Sequence, residues 1–422
     1  MKKARIPIFI LVLCILSSVL CPAVLADSAP EITAKNAFVV DMNTGTVLYE
    51  KDAESKADPA STTKIMTMLL ICEALERGDV SLDDKVTADA RDINLIHDDG
   101  ASNAGITAGE TMSFNDLCYC IMLASANEAC NIAASHVAGS VDKFVKLMNE
   151  KVSELGCKGT HFANTNGLTD PGHYTTAHDL CLIAQEALNH DLFRELCGTA
   201  KYIVPPTNKS GKRVLSNSNA LINADSMYGY KYIYDGTYGI KTGHTSSAGF
   251  CLVSANKSDE FDLLAVVLGS SGDFSTETFN NFSDTTKLYD WCKQNFSIQT
   301  VIDKSETICT IPVKHGAENE VALCASKSVS RLLPTNLDIS SIVRTPALYV
   351  ENVKAPVKAG DKLGQVTVTS DEGEELCTVD LVAANDVEKS FIRRAASVLI
   401  ILSAITLIAT FIPKTDRGKK KK

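Results

Sequence analysis

Hydrophobic and polar positions fall into strand-like, then helix-like, then strand-like patterns along the chain. Residues 37–41 and 46–50 read as two short strands around the turn Asn43-Thr44-Gly45. Pro59-Ala60-Ser61 opens a helical stretch running to Leu75, with Ile65, Met66, Met68, Leu69, Leu70 and Cys72 apolar. Helical periodicity recurs over 114–138, 141–155 and 177–188. The pattern then predicts strands at 238–242, 249–255 and 261–268, and a last helix over about 283–295. Strands at both ends with helices between predict an α+β domain over 27–296, its mixed sheet closed by the first and last segments.

Beyond Phe296 the texture changes. Short alternating runs at 307–313, 363–369 and 376–382 are separated by turn signals such as Gly360-Asp361 and Asp371-Glu372-Gly373, which predicts a small all-β domain over 297–390. Both ends of the chain are apolar. Lys2, Lys3 and Arg5 precede an uncharged run from Ile6 to Leu20, and Val24-Leu25-Ala26 supplies the small residues of a cleavage site, so 1–26 reads as a secretory signal peptide. An uncleaved anchor is the alternative. At the other end, 395–412 holds 18 residues without a charge, about 27 Å of helix against a bilayer core of ~30 Å. A transmembrane anchor over 393–413 is expected, with 414–422 as a basic cytoplasmic tail and the rest extracytoplasmic by the positive-inside bias. An in-plane helix is the alternative.

Composition adds two exclusions. The 422 residues are 45% hydrophobic and 22% charged, which is globular rather than disordered. The net charge is −10; without Lys2, Lys3 and Arg5 it is −13, and without the stretch from Arg393 onward it is −20. So acidic a body makes nucleic acid a poor partner. Fourteen cysteines in an exported chain suggest disulfides, yet Cys72, Cys130, Cys181 and Cys251 sit inside apolar runs and no C-x-x-C occurs. They read as small core hydrophobes, with one or two disulfides as the alternative.

Three short motifs carry candidate chemistry. In Ser61-Thr62-Thr63-Lys64 a hydroxyl and an amine share one helix face, and apolar neighbours should lower the amine's pKa and make it a base. Ser125-Ala126-Asn127 offers a proton relay and a carboxamide. Lys241-Thr242-Gly243 lies on a predicted strand, where glycine admits close backbone approach and an extended peptide could dock along a sheet edge. Each motif alone is weak. Their order, with spacings of 64 and 116 residues, is specific.

With these motifs the chain resembles the serine-type D-alanyl-D-alanine carboxypeptidases, the low-molecular-mass penicillin-binding proteins. The resemblance runs from about 31 to 390 and includes Asn164-Thr165-Asn166-Gly167-Leu168, Thr175-Thr176-Ala177-His178-Asp179-Leu180 and Gly239-Ile240-Lys241-Thr242-Gly243-His244-Thr245. It implies a penicillin-binding/β-lactamase-like catalytic domain with a helical cluster, followed by the family's β-rich domain. It further implies Ser61 as acylated nucleophile, Lys64 as general base and Ser125 as the relay to the leaving D-alanine. Asn127 would hold the substrate amide, and Lys241 and Thr242 would orient its terminus beside Gly243. The N–H groups of Ser61 and His244 would form the oxyanion hole. The implied substrate is the peptidoglycan pentapeptide stem, with β-lactams as covalent inhibitors and no cofactor or metal.

Two positions depart from the family's usual pattern. Ala126 stands where glycine is frequent. An arginine common before the last catalytic-domain helix is missing, since 278–284 contains no Lys or Arg; either another group binds the substrate carboxylate or affinity is lower. No H-E-x-x-H motif occurs, and His178 reads as structural. The competing readings are a β-lactamase and a catalytically inactive peptidoglycan-binding protein.

Overall fold

A computed structural model describes residues 29–98, 100–226 and 229–411. The expected signal peptide, 1–26, and basic tail, 414–422, lie outside the described residues. Within them, 29–297 form one compact unit and 298–411 another.

The first unit opens with a hairpin of β1 (Asn36–Asp41) and β2 (Val47–Lys51), whose turn is closed by the Asp41 carboxylate accepting from Thr44 N at 2.9 Å. A 3-10 turn, Ala60–Thr63, leads into α1 (Lys64–Arg77). Then follow β3 (Lys85–Thr87), α2 (Ala90–Ile93), β4 (Thr111–Ser113), α3 (Phe114–Met122), α4 (Asn127–Ala138), α5 (Val141–Glu154), α6 (Ala177–Ala187) and α7 (Asp191–Gly198). A hairpin of β5 (Lys201–Val204) and β6 (Arg213–Ser216) precedes the long strands β7 (Thr237–Thr245), β8 (Gly249–Lys257) and β9 (Asp262–Ser270). Short β10 (Gly272–Asp273) and β11 (Thr278–Phe279) lead to α8 (Asn280–Asn295).

Local chemistry explains several helix ends. Ser113, Ser140 and Thr176 accept from the N–H two or three residues into α3, α5 and α6, which satisfies one orphan donor in each case. Left-handed Gly78 and Gly139 terminate α1 and α4. Helix α1 is apolar on nearly every side and runs through the core, with Ile65, Met66, Met68, Leu69 and Ile71 fully buried.

Two expectations need correction. The five-stranded sheet, ordered β2-β1-β9-β8-β7, is antiparallel at every pairing rather than mixed. Tight turns join β1 to β2, β7 to β8 and β8 to β9, and a tight turn can only reverse the chain. The single helical pattern over 114–138 is two helices, because the backbone breaks at Ser125, whose φ is +55°.

The second unit is all-β apart from a 3-10 turn at Ile339–Ser341 and its last helix. It comprises β12 (Phe296–Ile302), β13 (Thr307–Lys314), β14 (Glu320–Ala325), β15 (Val329–Pro334), β16 (Val343–Leu348), β17 (Val353–Lys354), β18 (Lys362–Thr369) and β19 (Glu375–Ala383). Six of these form a sheet ordered β16-β18-β19-β14-β13-β17, and β12 pairs with β15. Ile311, Leu323, Val366 and Leu381 fill its core. Helix α9 (Phe391–Phe411) follows. The expected membrane span over 393–413 is not found: among the described residues no helix is long and apolar enough to cross a membrane.

Candidate active site

The 3-10 turn sets Ser61 and Lys64 side by side. Asp58 Oδ1 accepts from Ala60 N at 3.0 Å, and the Thr62 and Thr63 hydroxyls donate back to Pro59 O and Ala60 O. Ser61 stays partly exposed while Lys64 is fully buried. Two glycines let neighbouring backbone reach this turn. A Cβ on Gly243 of β7 would lie 3.0 Å from Ser61 N, and one on Gly167 would collide with the Ala60 carbonyl.

Lys64 Nζ meets three oxygens: Ser61 Oγ at 2.8 Å, Asn127 Oδ1 at 2.6 Å and Asn166 O at 2.6 Å. Burial lowers its pKa to about 8, partly offset by Cys130 and Glu128. When the amine is neutral it has two N–H bonds and one lone pair. The two carbonyl oxygens can only accept, so they take the N–H bonds. The lone pair is left facing the Ser61 hydroxyl, which is the arrangement a general base requires.

Ser125 occupies the break between α3 and α4, where its positive φ turns the hydroxyl inward at 7% exposure. Lys241 Nζ lies 3.0 Å from Ser125 Oγ and 3.0 Å from Thr242 O. Lys241 is buried, and burial followed by the nearby Lys64 charge holds its pKa well below the usual lysine value. Asn127 opens α4; because its Oδ1 serves Lys64, its Nδ2 is the group available to a substrate carbonyl.

Strand β7 forms the end of its sheet, with β8 on one side and no partner strand on the other among the described residues. An extended peptide can pair along that edge. Thr242 Oγ1 is 2.6 Å from Ser218 Oγ. His244 is exposed, with its ring tilted against Phe250 at 4.3 Å and edge-on to Phe274 at 5.1 Å, and partial burial pushes its pKa down. In the arginine-free stretch 278–284, Phe279 packs edge-on against Phe250 and Phe274. That stretch therefore offers no cation to a substrate carboxylate, and Phe279 is buried beneath the two rings that flank His244.

The structure thus brings the three motifs together: Lys64 links Ser61 to Asn127, Lys241 reaches Ser125, and Gly243, between Thr242 and His244 on β7, packs against Ser61 N. It adds others that the motifs do not show. Asn166 supplies a carbonyl to Lys64, and its loop is folded by Asn164 Oδ1 accepting from Gly167 N at 2.7 Å. Thr67 Oγ1 ties α1 to Thr165 O at 2.5 Å. His173 bonds the Thr63 hydroxyl through Nε2 and accepts from Ala163 N through Nδ1; burial lowers its pKa to about 4, so it is neutral and structural. Ser218 reaches Thr242 from the segment after β6. An Asn-x-Asn-Gly turn was the one visible signal for the Asn166 loop.

Comparison with known proteins agrees with this geometry. Residues 23–272 match the family model described as D-alanyl-D-alanine carboxypeptidase, and 296–389 match that of the penicillin-binding protein 5 C-terminal domain. The chain is 33% identical over 358 residues to D-alanyl-D-alanine carboxypeptidase DacF of Bacillus subtilis (strain 168), covering 85% of this chain and 86% of that protein. It is 32% identical over 346 residues to D-alanyl-D-alanine carboxypeptidase DacC of Escherichia coli (strain K12), covering 80% of each. Its structure is similar to that of penicillin binding protein 5 from Haemophilus influenzae, with a TM-score of 0.62, 26% identity and coverage of 86% of this chain and 99% of that one.

Proposed function

This chain belongs to the D-alanyl-D-alanine carboxypeptidase family and is a serine D,D-carboxypeptidase of the cell wall; from that premise we propose how its residues divide the work. Ser61 Oγ attacks the carbonyl of the penultimate D-alanine in a peptidoglycan pentapeptide stem. Its proton passes to Lys64 Nζ. The tetrahedral oxyanion is met by the N–H groups of Ser61 and His244, each such donor being worth about 3 kcal/mol of barrier. Collapse breaks the C–N bond, and the departing D-alanine amine takes a proton through the Ser125 hydroxyl, which Lys241 holds. Water, deprotonated by Lys64, then cleaves the ester and frees Ser61.

Asn127 Nδ2 grips a backbone carbonyl of the stem while its peptide lies along the β7 edge. Thr242 and Ser218 receive the terminal carboxylate in place of an arginine. Penicillins acylate Ser61 as mimics of that terminus. The observation that carries the reading is the Lys64 lone pair left facing Ser61 Oγ by two carbonyl acceptors. Mass spectrometry of the protein with a D-Ala-D-Ala peptide, and again with penicillin, tests it. A stable penicillin adduct lost in Ser61→Ala is expected; fast penicillin turnover would favour a β-lactamase, and no adduct an inactive binding protein.

We also propose that the enzyme works outside the cytoplasmic membrane, exported by 1–26 and held there by its C-terminal helix. The support is the sequence of the two ends, together with the exposed apolar side chains Val398–Leu402, Ile405 and Leu407. The Ser403 and Thr406 hydroxyls fold back onto Ile400 O and Leu402 O, which leaves them without demand for water. A cysteine introduced after Lys419 should resist a membrane-impermeant thiol reagent in intact cells. Labelling there would refute the span.

A further inference from the structure

Away from Ser61, carboxylates gather where three helices end. Glu73 and Glu76 lie in the last two turns of α1, Glu154 closes α5, and Glu186 is one residue from the end of α6. Helix C-termini carry partial negative charge, so acids placed there are disfavoured until a cation offsets them. Part of that offset is present. Lys151 Nζ lies 2.7 Å from Glu73 Oε1 and 2.8 Å from Glu154 Oε1, and Arg77 Nη1 is 3.9 Å from Glu73 Oε2.

His190, between α6 and α7, completes the cluster. It is only 8% exposed. Its Nδ1 lies 2.7 Å from Glu76 Oε1, while its Nε2 is buried without any hydrogen-bond partner. A carboxylate accepts, so Nδ1 is the ring nitrogen that donates to Glu76, and Nε2 is the one left open to another partner. A buried polar atom left unpaired costs free energy until something binds it. A ring nitrogen of His190 and one carboxylate oxygen each from Glu73 and Glu186 lie within 4.8 Å of one another.

We propose that His190, Glu73 and Glu186 bind a divalent transition-metal ion of the zinc class, with Glu76 orienting the imidazole from behind. One imidazole nitrogen with two carboxylates suits zinc better than calcium or magnesium, which prefer oxygen throughout. A carboxylate on the far nitrogen is the usual support of a metal-binding histidine. Rotation about the glutamate side chains brings the donors to the ~2.0–2.2 Å such bonds need, and water takes the remaining position. Glu186 also lines a cavity of about 1010 Å3 with Leu182, Gln185, Asn189 and Arg194.

The ion has no part in acyl transfer. Glu73 is nine residues beyond Lys64 on the same helix, about 14 Å along its axis. Bound metal fastens the far end of α1 to the α6–α7 turn and so stabilises the helix whose near end carries the nucleophile.

Full-length protein in detergent, stripped with a chelator, is titrated separately with Zn2+ and Co2+. One equivalent of Zn2+ should bind at micromolar or lower concentration and raise the unfolding midpoint by a few degrees. The Co2+ form should show visible d–d bands without thiolate charge-transfer absorption, which excludes the cysteines as ligands. His190→Ala and Glu186→Gln should each weaken binding at least ~10-fold with near-ultraviolet circular dichroism unchanged. His178→Ala, in the separate group with Glu54 and Asp179, should leave binding as it is. Failure of the wild-type protein to bind one equivalent, or undiminished binding by a folded Glu186→Gln or His190→Ala variant, overturns the proposal.

Discussion

Gly167 packs against Ala60 so closely that a Cβ on it would stand 1.8 Å from the Ala60 carbonyl oxygen, and its φ of +89° is one that few other residues adopt. The residue before it, Asn166, gives Lys64 one of its two carbonyl acceptors. One contact therefore both backs the nucleophile's turn and aims the base. Gly167→Ala should push the loop away from the turn, costing about 1–3 kcal/mol of stability. Penicillin acylation of Ser61 should fall at least tenfold, because Lys64 loses the acceptor that fixes its lone pair. Stopped-flow acylation rates check this; a rate within twofold of wild type would show that the contact does not hold the base.

Ser218 stands 2.6 Å from the Thr242 hydroxyl. If these two hydroxyls receive the substrate carboxylate, Ser218→Ala removes one hydrogen bond to a charged group, worth about 1.5–3 kcal/mol. The KM for a D-Ala-D-Ala peptide should rise by roughly tenfold or more at constant kcat, since the contact exists in ground and transition states alike. Unchanged KM would assign the carboxylate to another group.

The catalytic motifs were legible because their chemistry is local. A hydroxyl and an amine at i and i+3 meet on any helix, and Ser61 and Lys64 do. Long strands and capped helices were legible for the same reason. What the sequence hid depends on distant segments meeting. Nothing near Ser218 announces Thr242, and nothing near Asn166 announces Lys64, 102 residues away. The break at Ser125 was masked by apolar residues on both sides, which continue the helical period across it. Sheet direction was hidden because the alternation within a strand does not say which way its neighbour runs, and β9 comes back antiparallel beside β1.

All twelve described cysteines are free thiols, and ten of them are buried. Burial raises the pKa of Cys157, Cys197 and Cys251 to about 12, so they are protonated and unreactive at neutral pH. Cys118 and Cys120 sit two apart on α3 and point to different sides of it. Thiol titration of the mature protein should find twelve thiols after denaturation without reductant. In the folded state only the partly exposed Cys309 and Cys324 should react promptly. Recovery of only a few thiols after denaturation would replace the core-hydrophobe reading with disulfides.

The pH dependence of acylation follows from Lys64. The base is active when neutral, and burial brings its pKa down to about 8. Acylation should therefore rise with pH and level off above about 8, the reverse of what an acid would give. Glu128 refines this expectation. It is 4% exposed, its Oε1 accepts from Ala104 N at 2.7 Å, and its charge favours the protonated form of Lys64. Glu128→Gln keeps an oxygen for Ala104 but removes the charge. The Lys64 pKa should then fall, and the acid limb of the acylation profile should move to lower pH while the plateau rate changes little. A spectrophotometric β-lactam followed between pH 5 and pH 10 gives both profiles. A limb that stays in place or moves upward in Glu128→Gln would mean that the titrating base is a group other than Lys64.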